Sequence, residues 1–310
     1  MDPKLRTLEI FRLFASTQNV TETARLMRIS QPAVSQILKD LEAQIGVSLF
    51  KRVGNRLQVS AEGQEILPDI ERLIEQMSNL RNRVADLRNE KAGRLSIASV
   101  PTLIEAIVPR AIAEFQKKRP QIELKVGSFT AADVVRQVKL ERADVGLTFL
   151  PVNTAGVTIE PILRTAMVCM VAPGHRMARY EVVTPEDIKA ETIIAQGPET
   201  PPGYVLRDFL ETAGLSNLKY LQVNQAGVAQ PLAARGLGIA LAHPLGLSSE
   251  MSAGVIAIPF KPGVELTLAV LFPKFASASR VVSGFVERVK TELAIHARFL
   301  RDRGLVCEML

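Results

Sequence analysis

The sequence predicts an α plus α/β architecture: a helical N-terminal region with a short hairpin, one long helix, and an α/β domain of two subdomains. Three observations support this. Apolar residues recur at helical spacing through the first sixty residues. The next thirty carry them at alternating intervals of four and three. After residue 92, short apolar strands alternate with amphipathic helices. We therefore place the three parts at 1–60, 61–91 and 92–310.

The first sixty residues predict three helices. The segment KLRTLEIFRLFAST puts four residues on one helical face: Leu5, Leu8, Phe11 and Ala15. A short second helix follows, with Thr21 as its expected N-cap. Ser30 is the expected N-cap of the third helix, with Pro32 in the first turn, where a proline loses no hydrogen bond. Gly46 is placed to end it.

The third helix has two contrasting faces. Its apolar face comprises Val34, Ile37, Leu38, Leu41 and Ile45. Its opposite face comprises Pro32, Ser35, Gln36, Lys39 and Ala43. The second set is small and polar with one cation, which suits base edges and phosphates in a DNA major groove. Two helices joined by a turn in this way form a helix-turn-helix. The alternative is a helical hairpin that contacts another protein.

A basic hairpin is predicted directly after the third helix. The segment SLFKRVGNRLQVS has two short extended runs around VGN, with Lys51, Arg52 and Arg56 among them. Such a hairpin acts as a wing that reaches the DNA backbone or minor groove. The whole chain has a formal net charge of +6, and residues 1–60 hold nine Lys and Arg against five Asp and Glu. This charge permits nucleic-acid binding without proving it.

Residues 61–91 predict one long helix with a narrow apolar seam. The seam residues follow a heptad pattern: Ile66, Ile70, Leu73, Met77, Leu80, Val84 and Leu87. Charged residues fill the other positions, so the seam is expected to pair with a partner helix. The alternative is an amphipathic helix that lies on its own domain. Pro68 is a candidate for a bend, and the segment NEKAGR (89–94) is expected to be a hinge.

The remainder alternates strands and helices in the order expected of a parallel sheet. RLSIASV, QIELKVGSF and DVGLTFL are expected strands, separated by one helix that runs to Pro120 and another within AADVVRQVKLERA. Further strands and helices follow, and the last element is a helix of about Ala278–Arg301. We place subdomain I at about 92–163 and 266–310, and subdomain II at about 164–265. Facing strand ends of two such subdomains form a cleft suited to a small ligand.

Several function classes find no support. Cys169 and Cys307 lack zinc-ligand spacing and are expected to be reduced thiols. The three histidines are scattered, and His243 is expected to be structural. No catalytic triad, paired-carboxylate motif or phosphate loop occurs, so we expect no catalytic residue, no metal, no cofactor and no enzyme activity. No apolar run is long enough for a membrane span and no signal peptide is evident, which predicts a cytoplasmic protein without membrane partners.

The segment NVTETARLMRISQPAVSQILKDLEAQIGVSLFKRVGNRLQVSAEG closely resembles the N-terminal signature of LysR-type transcriptional regulators, including Ser60 and Gly63 after the wing. The downstream segments PQIELKVGSF, RADVGL, MVAPGHRMAR and RGLGIAL resemble the same family more loosely. The resemblance implies a winged helix-turn-helix, a dimerising linker helix, and an effector domain built like a two-subdomain periplasmic binding protein.

The resemblance also implies roles for individual N-terminal residues. Four are expected to face bases: Gln31, Pro32, Ser35 and Gln36. Three are expected to face phosphates: Lys39, Arg52 and Arg56. Gln36 departs from the Arg or Lys often found near this point in the family. Because glutamine pairs with adenine N6 and N7 rather than with guanine, we expect an A·T preference at its contact.

Polar residues at predicted strand ends and helix starts are the candidates for effector binding. Ser99 ends the first strand and Thr102 opens the next helix, where free N–H groups favour an anion. The other candidates are Ser128, Thr130, Thr148, Gln196, Glu199, Thr200, Asn224 and its neighbour Gln225. The alternative for a Ser or Thr there is a simple helix cap, and for Glu199 a solvated loop charge. If Glu199 does line the cleft, it favours a ligand with a cationic group.

The expected partners are double-stranded promoter DNA and a small-molecule inducer, either an organic acid or amino-acid-like. We expect a homodimer through the linker helix, a homotetramer of two dimers, and RNA polymerase as a further contact. The inducer is expected to control DNA binding from the cleft. The alternative function is a cytoplasmic small-molecule-binding protein or enzyme of the solute-binding fold, in which the winged helix and heptad helix would have no role. A DNA-architectural protein without an inducer leaves the α/β domain unexplained.

Overall fold

The computed structural model describes residues 4–54, 56–88, 93–247, 254–274 and 279–310. Within these ranges some helix and strand side chains are not described: Arg56, Glu75, Ser78, Asn79 and those of residues 81–88. The chain divides into two compact units, Met1–Arg88 and Asn89–Leu310.

The first unit consists of four helices and a two-stranded hairpin. In chain order these are α1 (Leu5–Thr17), α2 (Val20–Met27), α3 (Gln31–Ile45), β1 (Phe50–Val53), β2 (Arg56–Val59) and α4 (Ala61–Arg88). The strands pair antiparallel, as the sequence predicted. Phe50 at the start of the hairpin packs edge to face on Phe11 and Phe14, with both ring centroids 5.6 Å away. The hairpin is thereby anchored on the helical core.

Local capping explains where the helices begin and end. Ser30 Oγ accepts the N–H of Ala33 at 3.4 Å, and Gly46 ends α3 at φ 76°, so both predicted boundaries are confirmed. The predicted cap of α2 is wrong, because Asn19 and not Thr21 holds that position. Asn19 Oδ1 accepts the N–H groups of Thr21 and Glu22 at 2.9 and 3.1 Å. Its side-chain carbonyl reaches two donors at once, which makes Asn a strong N-cap.

The long helix α4 uses its apolar seam in two ways. Ile70 is buried in the core of the first unit, and Ile66 packs against that core half-buried. From Leu73 onward the described seam residues are exposed: Leu73, Met77 and Leu80 are 51%, 40% and 54% accessible. The helix continues through Pro68. The side chains of Val84 and Leu87, and most of the expected hinge, lie outside the described residues.

The second unit contains two sheets. The larger has the order β13-β6-β12-β5-β3-β4 and the smaller β11-β7-β10-β8-β9. The strands are β3 (Arg94–Ser99), β4 (Glu123–Ser128), β5 (Val145–Leu150), β6 (Val157–Ala166), β7 (Val168–Val171), β8 (Thr192–Gln196), β9 (Lys219–Val223), β10 (Ile239–Ala242), β11 (Ile256–Pro259), β12 (Glu265–Pro273) and β13 (Cys307–Met309). Strands β5, β3 and β4 are parallel, and so are β10, β8 and β9. The βαβαβ prediction is thus confirmed for the first three strands.

Helices lie between these strands. They are α5 (Pro101–Ala106), α6 (Val108–Lys118), α7 (Ala131–Lys139), α8 (Pro201–Thr212), α9 (Ala226–Ala234) and α10 (Arg280–Arg301). The sequence predicted one helix where α5 and α6 stand, and this was wrong. The break falls at Ile107, with φ −116° and ψ −50°. Pro109 explains it, because proline has no N–H and its ring clashes with the carbonyl four residues earlier, that of Glu105.

Two strands, β6 and β13, were not predicted from the sequence. The expected last element was the C-terminal helix, whereas β13 follows it and pairs antiparallel with β6. Neither strand has strict alternation: β6 contains Pro161, and β13 is only three residues long.

Cys307 in β13 and Cys169 in β7 are both free and buried, and burial raises their thiol pKa values to about 11 and about 12. No helix in the described part of the chain is both long and apolar enough to span a bilayer.

Candidate functional site

The outward face of α3 carries the predicted base-reading and phosphate-contacting side chains. Five of them are exposed: Gln31, Pro32, Ser35, Gln36 and Lys39. Val34, Leu38 and Leu41 are buried on the opposite side, with Ile37 and Ile45 half-buried. The predicted roll of the helix is therefore confirmed, and the polar face is free to meet a surface outside the unit.

An acidic residue also stands on this face, which the sequence analysis overlooked. Asp40 is exposed, and its Oδ1 accepts a hydrogen bond from Gln36 Nε2 at 2.7 Å. Residues four apart are neighbours on a helix surface, so this contact could have been found from the spacing. The bond holds the Gln36 amide in one orientation. Its oxygen and second N–H are left for other partners.

The hairpin is tied to α3 by a side chain. Glu42 of α3 accepts the backbone N–H of Phe50 through Oε1 at 2.9 Å. Lys51 and Arg52 on β1 are exposed. The Arg56 side chain, expected to contact phosphate, lies outside the described residues. The two described cations thus sit on a wing whose position relative to α3 is held by Glu42.

The join between wing and linker helix is also held by hydrogen bonds. Ser60 Oγ donates to the carbonyl of Ser48 at 2.7 Å and accepts the N–H of Gly63 at 2.9 Å. A side chain at Gly63 would meet the carbonyl oxygen of Leu49 at a Cβ distance of 2.4 Å. The start of α4 is therefore in close contact with the base of the wing at Ser60 and Gly63.

A cavity of about 370 Å³ lies in the second unit, against the carboxyl ends of parallel strands from both sheets. Seven predicted effector residues line it: Thr102, Ser128, Thr130, Gln196, Glu199, Thr200 and Asn224; Gln225 lines it too. Two others do not: Ser99 and Thr148 are fully buried, and their hydroxyls donate to the carbonyls of Val100 and Phe149. The structure thus brings together most of the candidate set, drawn from both halves of the unit.

Two lining threonines are also helix caps. Thr130 Oγ1 accepts the N–H of Asp133 at 3.2 Å. Thr200 Oγ1 donates to the carbonyl of Gly197 at 2.8 Å and accepts the N–H of Gly203 at 3.1 Å. The capping alternative therefore applies to both residues, and each hydroxyl is already engaged within the chain.

Among the titratable residues that line the cavity, sequence reasoning missed two, His243 and Asp133. His243 follows β10 and is 2% exposed, with its ring 4.4 Å from that of Phe149. Burial lowers the pKa of His243 to about 4, so the imidazole is neutral at pH 7. Its Nδ1 and the Oε1 of Gln196 are buried without a hydrogen-bond partner among the described residues. A buried polar atom without a partner is costly, and a ligand can satisfy it.

Strand pairing explains why these two side chains meet the same cavity. Ile194 in β8 stands beside Ala240 in the parallel strand β10. Continuing that register puts Gln196 beside Ala242, one residue before His243. The signal for His243 was its position directly after an apolar strand, which is informative only once the neighbouring strand is known. Among the described residues no group of three His, Cys, Asp or Glu is arranged to hold a metal ion.

Two family models match the chain, one for each unit. The model of the bacterial regulatory helix-turn-helix protein of the lysR family matches residues 5–64. The model of the LysR substrate binding domain matches residues 88–294. The second match alone covers about two-thirds of the chain.

Whole regulators are similar over almost their full length. The regulatory protein NocR of Agrobacterium fabrum (strain C58 / ATCC 33970) is 29% identical over 280 residues, which are 90% of this chain and 93% of that protein. The octopine catabolism/uptake operon regulatory protein OccR of Rhizobium meliloti is 29% identical over 303 residues, 97% and 99% of the two chains.

A solved structure shares the fold. Full-length CbnR, crystallised in complex with its target DNA, superposes with a TM-score of 0.69 at 20% sequence identity, covering 93% of this chain and 99% of that one. The first unit is a winged helix-turn-helix, and the second is a two-sheet α/β unit with a cavity. Each unit matches a family model. The chain therefore belongs to the LysR family of bacterial transcriptional regulators.

Proposed function

We propose that α3 and the wing bind double-stranded promoter DNA, and that a small-molecule inducer in the 370 Å³ cavity controls this binding. The observation that carries the proposal is the exposed polar face of α3, opposite an apolar face that is buried at Val34, Leu38 and Leu41. No described residue of the first unit covers this face, and it suits base edges in a major groove.

Roles for individual residues follow. Gln31, Pro32, Ser35 and Gln36 are proposed to contact bases, since their side chains are exposed and short. Lys39, Arg52 and Arg56 are proposed to contact phosphates. Lys39 and Arg52 are exposed cations, and Arg56 is proposed from the basic hairpin sequence and the family resemblance.

For the inducer we propose an organic acid or an amino-acid-like compound that contacts the predicted residues lining the cavity. Ser99 and Thr148 remain candidates only for a ligand-bound conformation that exposes them. Support comes from the family match and, by analogy, from OccR, whose name refers to an octopine catabolism and uptake operon.

We also propose which part of the chain performs each function. Residues 1–60 bind DNA, residues 61–91 form the dimer, and residues 92–310 bind the effector between the two subdomains given above. The exposed seam at Leu73, Met77 and Leu80 supports a homodimer through α4. We propose that two dimers form a homotetramer, that the complex contacts RNA polymerase, and that it acts in the cytoplasm, where the DNA is. Since the similar proteins are named as regulators, we propose no catalytic activity for this chain.

A gel shift with the DNA upstream of the chain's own gene, at defined salt, tests the DNA-binding part. We expect a specific complex that is lost when Lys39 and Arg52 are both replaced by alanine. A thermal-shift screen with organic acids and amino acids tests the inducer part, because a ligand that binds only the folded state raises its Tm. Ligand-induced stabilisation without any DNA complex would favour the alternative of a small-molecule-binding protein.

A further inference from the structure

The charge of the cavity wall constrains the ligand, given the effector-binding function proposed above. Its lining includes two carboxylates, Asp133 and Glu199, and no lysine or arginine. Asp133 is offset by Arg136, whose guanidinium lies 2.7 Å from Oδ1. Glu199 makes no ion pair within the described part of the chain. A purely anionic ligand would therefore meet an uncompensated negative charge and no side-chain cation.

The loop between β8 and α8 contributes two side-chain acceptors at the cavity. Gln196 Oε1 is buried without a partner, and Glu199 contributes a carboxylate three residues later. The helix that follows adds no donors at its start, because Pro201 and Pro202 have no N–H and Gly203 is already capped. This side of the cavity therefore favours a ligand group that donates hydrogen bonds, and a positive charge suits the Glu199 carboxylate best.

The opposite requirement holds at the starts of α7 and α9. Ala131 and Ala226 are their first residues and line the cavity, and their N–H groups have no acceptor among the described residues. The N-cap of α9, Gln225, gives no side-chain hydrogen bond. Free N–H groups and the helix dipole favour an anionic oxygen at such ends. Two distinct regions of one cavity thus select opposite charges.

His243 supplies an independent sign that the cavity is built for a polar molecule. It is 2% exposed, lines the cavity and has an unpartnered Nδ1. Because its imidazole is neutral, it can accept or donate a hydrogen bond without repelling a cation. We propose that the ligand is a zwitterion, an amino acid or amino-acid conjugate. Its cationic nitrogen faces Glu199 and Gln196, and its carboxylate faces the starts of α7 and α9.

Matched probes test this on the full chain by thermal shift. Each amino acid is compared with the molecule that lacks one of its charges: L-glutamate with glutarate, L-leucine with 4-methylpentanoate, L-arginine with agmatine, L-ornithine with putrescine. We expect at least one amino acid to raise the Tm by several degrees, and its counterpart, which carries charge of only one sign, to have no such effect. An acid without a cationic nitrogen that stabilises the chain equally well would overturn the zwitterion while leaving the proposed function intact.

If no amino acid in the panel raises the Tm, the zwitterion proposal is also overturned. Gel shifts on the same preparation judge the DNA-binding function separately. For the responding amino acid, Glu199→Gln should weaken binding about ten-fold, because a charge-assisted hydrogen bond becomes a neutral one. The matched control is Glu181→Gln, which removes the same charge from an exposed site outside the cavity wall and should change nothing. Equal effects of the two substitutions would contradict the assignment of Glu199.

Two more variants distinguish recognition from structural damage. Gln196→Met keeps the side-chain shape and removes the acceptor, so affinity for the amino acid should fall while the Tm without ligand is retained or rises. Glu199→Lys reverses the charge and should transfer preference toward the matched dicarboxylate, glutarate. If Glu199→Lys leaves the ranking of amino acid over dicarboxylate unchanged, the cationic subsite does not lie at Glu199.

Discussion

Gln36 Nε2 donates a hydrogen bond of 2.7 Å to Asp40 Oδ1 on the exposed face of α3. The contact joins the side chain proposed to read a base with the one acid on that face among residues 31–40. It fixes the Gln36 amide and leaves its oxygen and one N–H for a bidentate contact with adenine. If this face binds DNA as proposed, the acid brings a negative charge close to the DNA backbone, so it favours orientation at the expense of affinity.

Gln36→Ala should abolish the preference for A·T at one operator position. The reason is that a bidentate amide–adenine pair contributes about 1–3 kcal/mol of discrimination, and alanine offers no hydrogen bond. Binding measured against single-base operator variants checks this. An unchanged base preference would contradict the proposed contact between Gln36 and adenine. Asp40→Asn is the companion variant: it should tighten binding to all sequences by removing repulsion.

Lys39→Ala should weaken binding to every DNA sequence by a similar factor. Lys39 is an exposed cation proposed to meet phosphate, which carries no sequence information. Loss of one phosphate contact should lower the slope of log affinity against log salt by about one. Titrations from low to moderate salt measure that slope. A change confined to one operator sequence would instead indicate a base contact.

The elements that the sequence predicted correctly carry their signals locally. Ser30, Pro32 and Gly46 lie at the ends of α3, and each acts within about one turn of the backbone. The division into α5 and α6 also had a local signal in Pro109, but the apolar periodicity on both sides favoured one helix. Strand β13 had no local signal, because three residues become a strand only through pairing with β6, about 140 positions earlier in the chain.

The cavity residues also divide into those with a local sequence signal and those without one. Thr130 and Thr200 were predictable because each precedes a helix. His243 was not, because its place in the wall depends on β10 lying beside β8, and no short segment encodes that neighbour. Ser99 does end β3, as expected, but Thr148 lies two residues before the end of β5, and both side chains are fully buried.

Gly203→Ala should destabilise the second unit by about 2 kcal/mol and weaken ligand binding. A Cβ there would come within 2.0 Å of the Gly197 carbonyl oxygen and 2.4 Å of that of Gln196, so the backbone must move. The shift would displace the loop that carries Gln196 and Glu199. Urea unfolding and ligand titration measure the two effects. Gly174→Ala, which meets nothing within 4 Å, is the control, and equal stability of the two variants would contradict the prediction.

Replacing Leu73 and Leu80 together by glutamate should convert the proposed dimer into monomers. Both are more than half exposed on α4, and charges in a helix–helix seam oppose its burial. The dimer dissociation constant should rise by at least about a hundred-fold, since each buried leucine contributes roughly 1.5–3 kcal/mol. Sedimentation equilibrium measures the mass. Gln76→Glu, a charge at an exposed site off the seam, should leave it unchanged; an unaltered mass in the double variant would exclude the seam as the interface.

The stability of the second unit should fall as the pH is lowered from about 6.5 to about 4. Burial lowers the pKa of His243 to about 4, whereas the unfolded side chain titrates near 6.5. Between these values the unfolded state binds the extra proton, so the free energy of unfolding decreases with falling pH, by up to about 3 kcal/mol. The pKa of His296 is also lowered, first by burial and then by Arg110, which acts in the same direction.

Urea unfolding at pH 7.5, 6, 5 and 4.5 measures the loss of stability. The His243→Gln variant should show a shallower decline than the parent, because glutamine does not titrate. Parallel declines in the two proteins would show that His243 is not the group responsible.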